Sequence, residues 1–336
     1  MLVYVLKRVG SSLVLLAFIS ILIFVALRLL PGDPTTFSLA QGDGVSPEAL
    51  EKMRRELGLD QPVFVQYWNW ISGVVVGNFG FSYFSDFPVG LLIAQRLPAT
   101  VTLAGAALAL AIVIAVPVAV VPLWLRSVWL ERITNVFVAL GLATPVFVIG
   151  ILLVLFFANF LNLFTGSGYV AFTDDPAAAL GFLVLPAVTL ALAIAPQLVR
   201  YLQGSIRGVA EATFVRTARG KGIGWGRTVS NHIVPNALLP ALTSLGITVG
   251  SLLGGSVVVE VVFAWPGVGQ LVVDAVVKRD YAVIQTIVLL AASAFVVVTL
   301  IVDLLYGVLD PRLRVSTSQA RAPRSGDTSV IKEASV

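Results

Sequence analysis

Ionisable side chains fall within long apolar stretches of this chain, among them Arg28, Glu260 and Asp303. Groups of this kind could bind a coupling ion, as in a proton- or sodium-driven carrier, if they stood near the middle of a bilayer. Here Arg28 and Glu260 lie at the ends of their apolar runs expected to face outward, and Asp303 at the inner end of the last run. Their expected role is end anchoring, by snorkelling or local pairing. Phosphate chemistry is not supported either. Gly220-Lys221 resembles the end of a phosphate loop, but Gly222 follows where Ser or Thr is required, and Val215 stands where the first Gly belongs. With no cysteine and one histidine, His232, thiolate and histidine-cluster metal sites are not on offer. What remains is a surface. Arg216-Thr-Ala-Arg-Gly-Lys-Gly222 is polar, basic and glycine-bearing, and His232-Ile-Val-Pro-Asn236 follows it. Both lie between two long apolar runs.

The elements that must position this loop are membrane spans. The chain has 336 residues, of which 58% are hydrophobic and only 12% charged. A soluble domain carries about 25% charged residues, so the composition is that of a polytopic membrane protein. A crossing helix needs about 20 apolar residues. Six segments qualify: 9–30, 100–121, 133–159, 182–201, 237–262 and 283–305. The first is longer than a secretory signal core and has no small-x-small cleavage site, so it is read as an uncleaved span.

Lys7 and Arg8 precede the first span and place the N-terminus inside. Alternation then puts Arg126 and Arg132, the loop from Arg200 to Arg227, and the tail with Arg312, Arg314, Arg321, Arg324 and Lys332 on the same side. The loop 161–181 has no Lys or Arg and carries Asp174 and Asp175, as expected for the outside. Lys278 and Arg279 run against the pattern, offset by Asp274 and Asp280.

A long outer region, 31–98, follows the first span. Ser46-Pro-Glu-Ala has the signature of a helix start, and Leu50, Met53 and Leu57 form one apolar stripe. Gly58 is placed to end that helix in a left-handed conformation. The stretch 63–76 contains Tyr67, Trp68 and Trp70, aromatics that favour the membrane interface. This region is read equally as a lid on its own bundle and as a dock for an external partner.

The loop resembles the one by which bacterial ABC-importer permeases grip their ATPase subunits. That family pattern reads Glu-Ala-Ala, three residues, Gly, nine residues, then Ile-x-Leu-Pro. Ala218, Gly222 and Pro235 fall on it at the right spacing, with Val234 for the Leu. Arg216 and Thr217 replace the Glu and first Ala, and His232 replaces the Ile; such variants, with Arg219, Lys221 and Asn236, are similar to the peptide-transporting branch. Further landmarks match in order: residues 30–34 (Leu-Pro-Gly-Asp-Pro), 58–62, 97–100, Glu260-Val-Val-Phe-Ala-Trp-Pro-Gly267, Arg279-Asp-Tyr281, and 303–312. Glu211-Ala-Thr213 is out of register with the pattern.

The resemblance implies an all-α membrane protein with the type I ABC importer permease fold: six transmembrane helices and a long extracytoplasmic region after the first. Residues 1–97 would hold the first span and that region, 98–314 the permease core with its coupling loop at about 204–235, and 315–336 a disordered tail. It implies a transmembrane permease subunit of a di- or oligopeptide importer, working by alternating access in the bacterial inner membrane, with both termini cytoplasmic. The chain would be no enzyme and hold no cofactor, with ATP and Mg bound by partner subunits. Its partners would be a homologous second permease, two ATPase domains, an extracytoplasmic solute-binding protein and membrane lipid, with no nucleic acid. Arg216, Thr217, Ala218, Arg219, Lys221, Gly222, His232, Pro235 and Asn236 would form the ATPase contact. The small residues Ala218 and Gly222 would let its backbone approach a groove in the ATPase. Trp68, Trp70, Trp265, Pro266 and Gly267 are the candidates for docking the binding protein. The alternatives are a permease for nickel or another small solute on the same scaffold, and an ion-coupled carrier, against which the scarcity of mid-membrane charge speaks.

Overall fold

The computed structural model describes residues 2–29, 47–56 and 58–309. The 30–34 motif, the Ser46 cap, Leu57, the 310–312 motif and the tail 315–336 lie outside the described residues, as do the side chains of Leu50, Met53 and Asp303. All regular structure among the described residues is helical apart from one isolated bridge, Phe81 to Pro88.

The helices are α1 (Leu2–Leu29), α2 (Pro47–Glu56), α3 (Val63–Val75), α4 (Val89–Leu125), α5 (Val128–Ala143), α6 (Val146–Leu153), α7 (Pro176–Ala210), α8 (Thr213–Gly220), α9 (Trp225–Thr228), α10 (Val234–Val262), α11 (Val268–Lys278) and α12 (Tyr281–Leu309). Two π-helical turns, Val154–Phe160 and Val229–Ile233, extend α6 and join α9 to α10. Gly58 does end α2, at φ +65, with the Gly58 and Leu59 N–H groups bonding back to the Arg55 and Arg54 carbonyls.

Among the described residues, α1, α4, α7 and α12 are each long and apolar enough to cross a membrane. The segment expected as one span, 133–159, is built of two helices, α5 and α6 with its π turn, bent by 104°. Pro145 is the cause. It offers no N–H to the helix and pushes Thr144 out of the helical region, to φ −88 and ψ 123. If the bent pair counts as one span, it is the fifth. The 29-residue α10 covers the remaining expected segment.

The tightest packing joins α4 to α7. Ala107, Ala111, Ala115 and Ala119 recur every four residues along α4, and each is at most 3% exposed. That spacing puts them on one helix face. Lipid is as apolar as a leucine side chain, so close backbone approach along such a face supplies the contact energy that the hydrophobic effect cannot. Leu183, Leu190, Ile194, Leu198 and Leu202 of α7 are buried in the same core. α5 also approaches α7 closely, because a side chain at Gly141 would collide with the Pro196 ring.

A second core forms at the end of the bundle where α4 begins. Ile23 and Leu27 of α1, Val89 and Ile93 of α4, and Tyr281 to Ile284 of α12 meet there. Asp280 is buried beside it. It accepts from the Ser82 hydroxyl and from the Tyr83 N–H, and so fixes the short 81–88 turn onto the start of α12.

Candidate functional site

The basic loop is folded as a helix, a turn and a second short helix between α7 and α10. α8 is amphipathic over its eight residues. Val215 and Ala218, three apart, are buried against the bundle, while Arg216, Thr217, Arg219, Gly220 and Lys221 are exposed. Ala218 faces its own bundle. Its methyl group faces inward at 8% exposure, and it anchors the helix to its own chain.

Gly222 closes α8. Its N–H bonds to the Arg219 carbonyl, and the Ile223 N–H bonds to the Ala218 carbonyl, which is the two-bond helix ending that needs a left-handed residue. Gly222 has φ +81, and a Cβ built there would meet nothing within 4 Å. Glycine is therefore required here first by backbone conformation, and the space around it is open to a partner.

After Gly224 the chain turns back. The Thr228 hydroxyl bonds the Gly224 carbonyl at 3.0 Å, and Thr228, Val229 and Ile233 are buried. His232 is half-buried in the π turn, and its carbonyl accepts from the Asn236 side chain at 2.7 Å. Pro235 sits in the first turn of α10, where its missing N–H costs nothing. The Ser205 hydroxyl of α7 bonds the Ala237 carbonyl at 2.6 Å, tying the two flanking helices together below the loop. The structure thus brings all nine candidate residues into one continuous segment, with a cationic exposed face and an apolar seat.

Sequence reasoning did not find what steadies this segment. Trp225 donates its indole N–H to the Leu123 carbonyl in the last turn of α4, and Arg126 stacks on its ring. These partners are about a hundred residues away, and no local pattern marks the pairing. Arg207 of α7 pairs with Glu131 of α5 at 2.9 Å nearby. Both side chains are largely exposed, so the pair contributes little.

The opposite end of the bundle holds the residues proposed for docking. Trp265 is 1% exposed, stacks edge-on against Tyr169, and donates to the Ala99 carbonyl at 2.9 Å. Gly267 is buried because a Cβ there would strike the Glu260 carboxylate. These two residues therefore build the corner between α10 and α11 and present no side chain to a partner. Pro266 is half-buried. Trp70 packs on Phe24 of α1, while Trp68 points outward at 62% exposure.

Glu260 organises that corner. It is fully buried and accepts from the Thr100 hydroxyl at 2.8 Å and the Gln270 N–H at 3.0 Å. The Thr100 hydroxyl oxygen in turn accepts from the Val268 N–H at 2.8 Å. The local pairing expected of this residue is present. Arg28 is likewise paired locally, through Gln66 and the Phe24 ring.

Comparison with known proteins agrees with this architecture. Residues 107–315 match the family described as binding-protein-dependent transport system inner membrane component, and residues 1–104 match its N-terminal counterpart. A Brucella abortus (strain 2308) protein named as a peptide transport system permease is 40% identical over 310 residues, covering 92% of this chain and 98% of the relative. The glutathione transport system permease protein GsiC of Escherichia coli (strain K12) is 36% identical over 314 residues, covering 94% and 99%. A solved structure of the MetNI methionine ABC transporter in an inward-facing conformation superposes with a TM-score of 0.54 at 17% identity, covering 66% of this chain and 97% of that one. That superposition shows a shared fold, and the sequence match to the relatives runs through nearly the whole chain. The chain belongs to the family of inner membrane components of binding-protein-dependent transport systems.

Proposed function

We propose that this chain is one of two homologous permease subunits of an ATP-driven importer for di- and oligopeptides in the bacterial inner membrane. A solute-binding protein delivers the peptide from outside, and two ATPase domains dock on the segment from Thr213 to Asn236. The observation that carries this reading is the division of α8 into a buried seat and an exposed basic face. Such a helix is held firmly by its own bundle and still offers a docking surface. ATP binding closes the ATPases, the segment moves with them, and α7 and α10 shift at its two ends. The pore then opens outward to receive peptide. The chain performs no covalent chemistry, and ATP and Mg belong to the ATPases.

Peptide is favoured as cargo because the relatives are named for peptide and glutathione transport. The test is uptake by the reconstituted complex with its binding protein. Uptake of a labelled peptide should require ATP and the ATPase subunits, and unlabelled di- and oligopeptides should compete. Competition by nickel but not by peptides would overturn the cargo, and uptake without ATPases would overturn the mechanism.

Six spans with both termini cytoplasmic belong to the same proposal. The natural chain has no cysteine, so single cysteines report sidedness cleanly. A cysteine at Asp174, in the exposed loop before α7, should react with an impermeant thiol reagent added outside intact cells. One at Gly224 should react only after permeabilisation. The reverse pattern would reject the topology.

A further inference from the structure

The segment from Thr213 to Asn236 touches a third helix besides the two it joins. The Trp225 indole N–H donates to the Leu123 carbonyl at 2.9 Å. The same carbonyl accepts from the Arg126 N–H at 3.3 Å, so both its lone pairs are used at the end of α4. Arg126 caps α4 in the left-handed region, at φ 52, and its guanidinium carbon lies 4.3 Å from the Trp225 ring centroid. Arg219, on α8, approaches that ring at 5.4 Å. The following residue, Gly226, packs so closely that a Cβ would stand 2.8 Å from the Trp124 indole nitrogen. One aromatic ring thus collects a hydrogen bond and a cation from the end of α4, together with a cation from α8.

We infer that Trp225 is a positioning residue that clamps the coupling segment to the end of α4, so that segment and α4 move as one body when the ATPases close. This rests on the segment being the ATPase contact. The effect reaches far, because α4 runs unbroken for 37 residues, about 55 Å at the helical rise. Near its other end, Thr100 holds Glu260 in the α10–α11 corner. A displacement applied at Trp225 reaches that corner along one helix, without passing through a chain of side-chain contacts.

The test uses the complete transporter in proteoliposomes, with ATP hydrolysis and peptide uptake measured together. In Trp225→Ala, uptake per ATP hydrolysed should fall about tenfold, the scale of one indole hydrogen bond plus cation–π contact, whatever the hydrolysis rate itself does. Trp225→Phe keeps a ring and loses the N–H, and should fall between. Unchanged uptake per ATP in Trp225→Ala would overturn the inference. A second measurement covers the case where Trp225→Ala fails to fold. In the double variant Trp124→Cys, Gly226→Cys, a short thiol-to-thiol linker should leave uptake at its level before linking, since the two sites do not separate during the cycle. Loss of uptake on linking would overturn the inference. Gly222→Glu separates the two levels. If it uncouples transport and Trp225→Ala does not, the ATPase contact stands and the clamp falls. If neither changes coupling or ATPase binding, the ATPase contact itself is misassigned.

Discussion

Gly222→Glu is expected to reduce ATP-driven uptake by at least about tenfold, through lost coupling between permease and ATPases, while the chain still inserts and folds. Two effects combine at this position. Any side chain must adopt φ +81, which costs an L-residue about 1–2 kcal/mol. The glutamate also projects from a surface where nothing in this chain lies within 4 Å, and it sets a negative charge into a face made cationic by Arg216, Arg219 and Lys221. Gly222→Ala separates the two, since it carries the strain without the bulk or the charge. Alanine should lower thermal stability slightly and keep most of the uptake, whereas glutamate should leave a folded permease whose ATPases hydrolyse without transport or fail to bind. Wild-type uptake in Gly222→Glu would show that the open face at the end of α8 meets no partner.

The second large effect is expected at the other end of the bundle. Glu260→Ala removes one acceptor and strands two donors: the Thr100 hydroxyl and the Gln270 N–H. A buried donor left without a partner costs about 1–3 kcal/mol, so the corner between α10 and α11 should open and the detergent-solubilised complex should lose much of its thermal stability. Glu260→Gln keeps an acceptor oxygen of the same reach. It should be markedly milder, although its amide group brings two hydrogens into a site furnished with donors. Equal melting temperatures for Glu260→Ala and the natural protein would mean that the Thr100–Glu260 linkage contributes nothing to stability. Because Trp265 and Gly267 are built into this corner, any docking of a binding protein here depends on Glu260 indirectly, through the shape it maintains.

The apolar windows located the helices but not their limits. The window at 182–201 lies inside α7, which begins at Pro176 with the Asp175 carboxylate accepting from the N–H groups of Ala177 and Ala178. That Asp-Pro start was legible as a cap followed by a first-turn proline. Hydropathy passed over it because it measures what lipid tolerates, and a helix can continue beyond the lipid. Pro145 was legible as a helix-softening residue, yet Pro117, Pro186, Pro196 and Pro240 remain inside continuous helices. Only tertiary packing decides which proline becomes a 104° corner. Between α7 and α10, Ala218, Gly222 and Pro235 fall at a helix seat, a helix end and a helix start, local events that a sequence pattern can record. Which way Ala218 faces was not local. It follows from burial against the bundle. The long-range partners, Trp225 with Leu123 and Thr100 with Glu260, left no trace in a single sequence, since nothing in the types of either residue names the other.

The π turn at Val229–Ile233 has a consequence for aim. Such a turn accommodates one residue more than the α-helix it interrupts, and one residue corresponds to about 100° of rotation around a helix axis. The basic face of α8 therefore points where it does, relative to α10, by an angular offset stored in a single surplus residue. Deleting one residue between Val229 and Ile233 would let α9 and α10 fuse in regular phase and swing the whole segment roughly a quarter-turn around the bundle. Every remaining side chain would keep its order, yet the face would be presented in the wrong direction. Compass bearing, as much as chemistry, is written into this stretch of the chain.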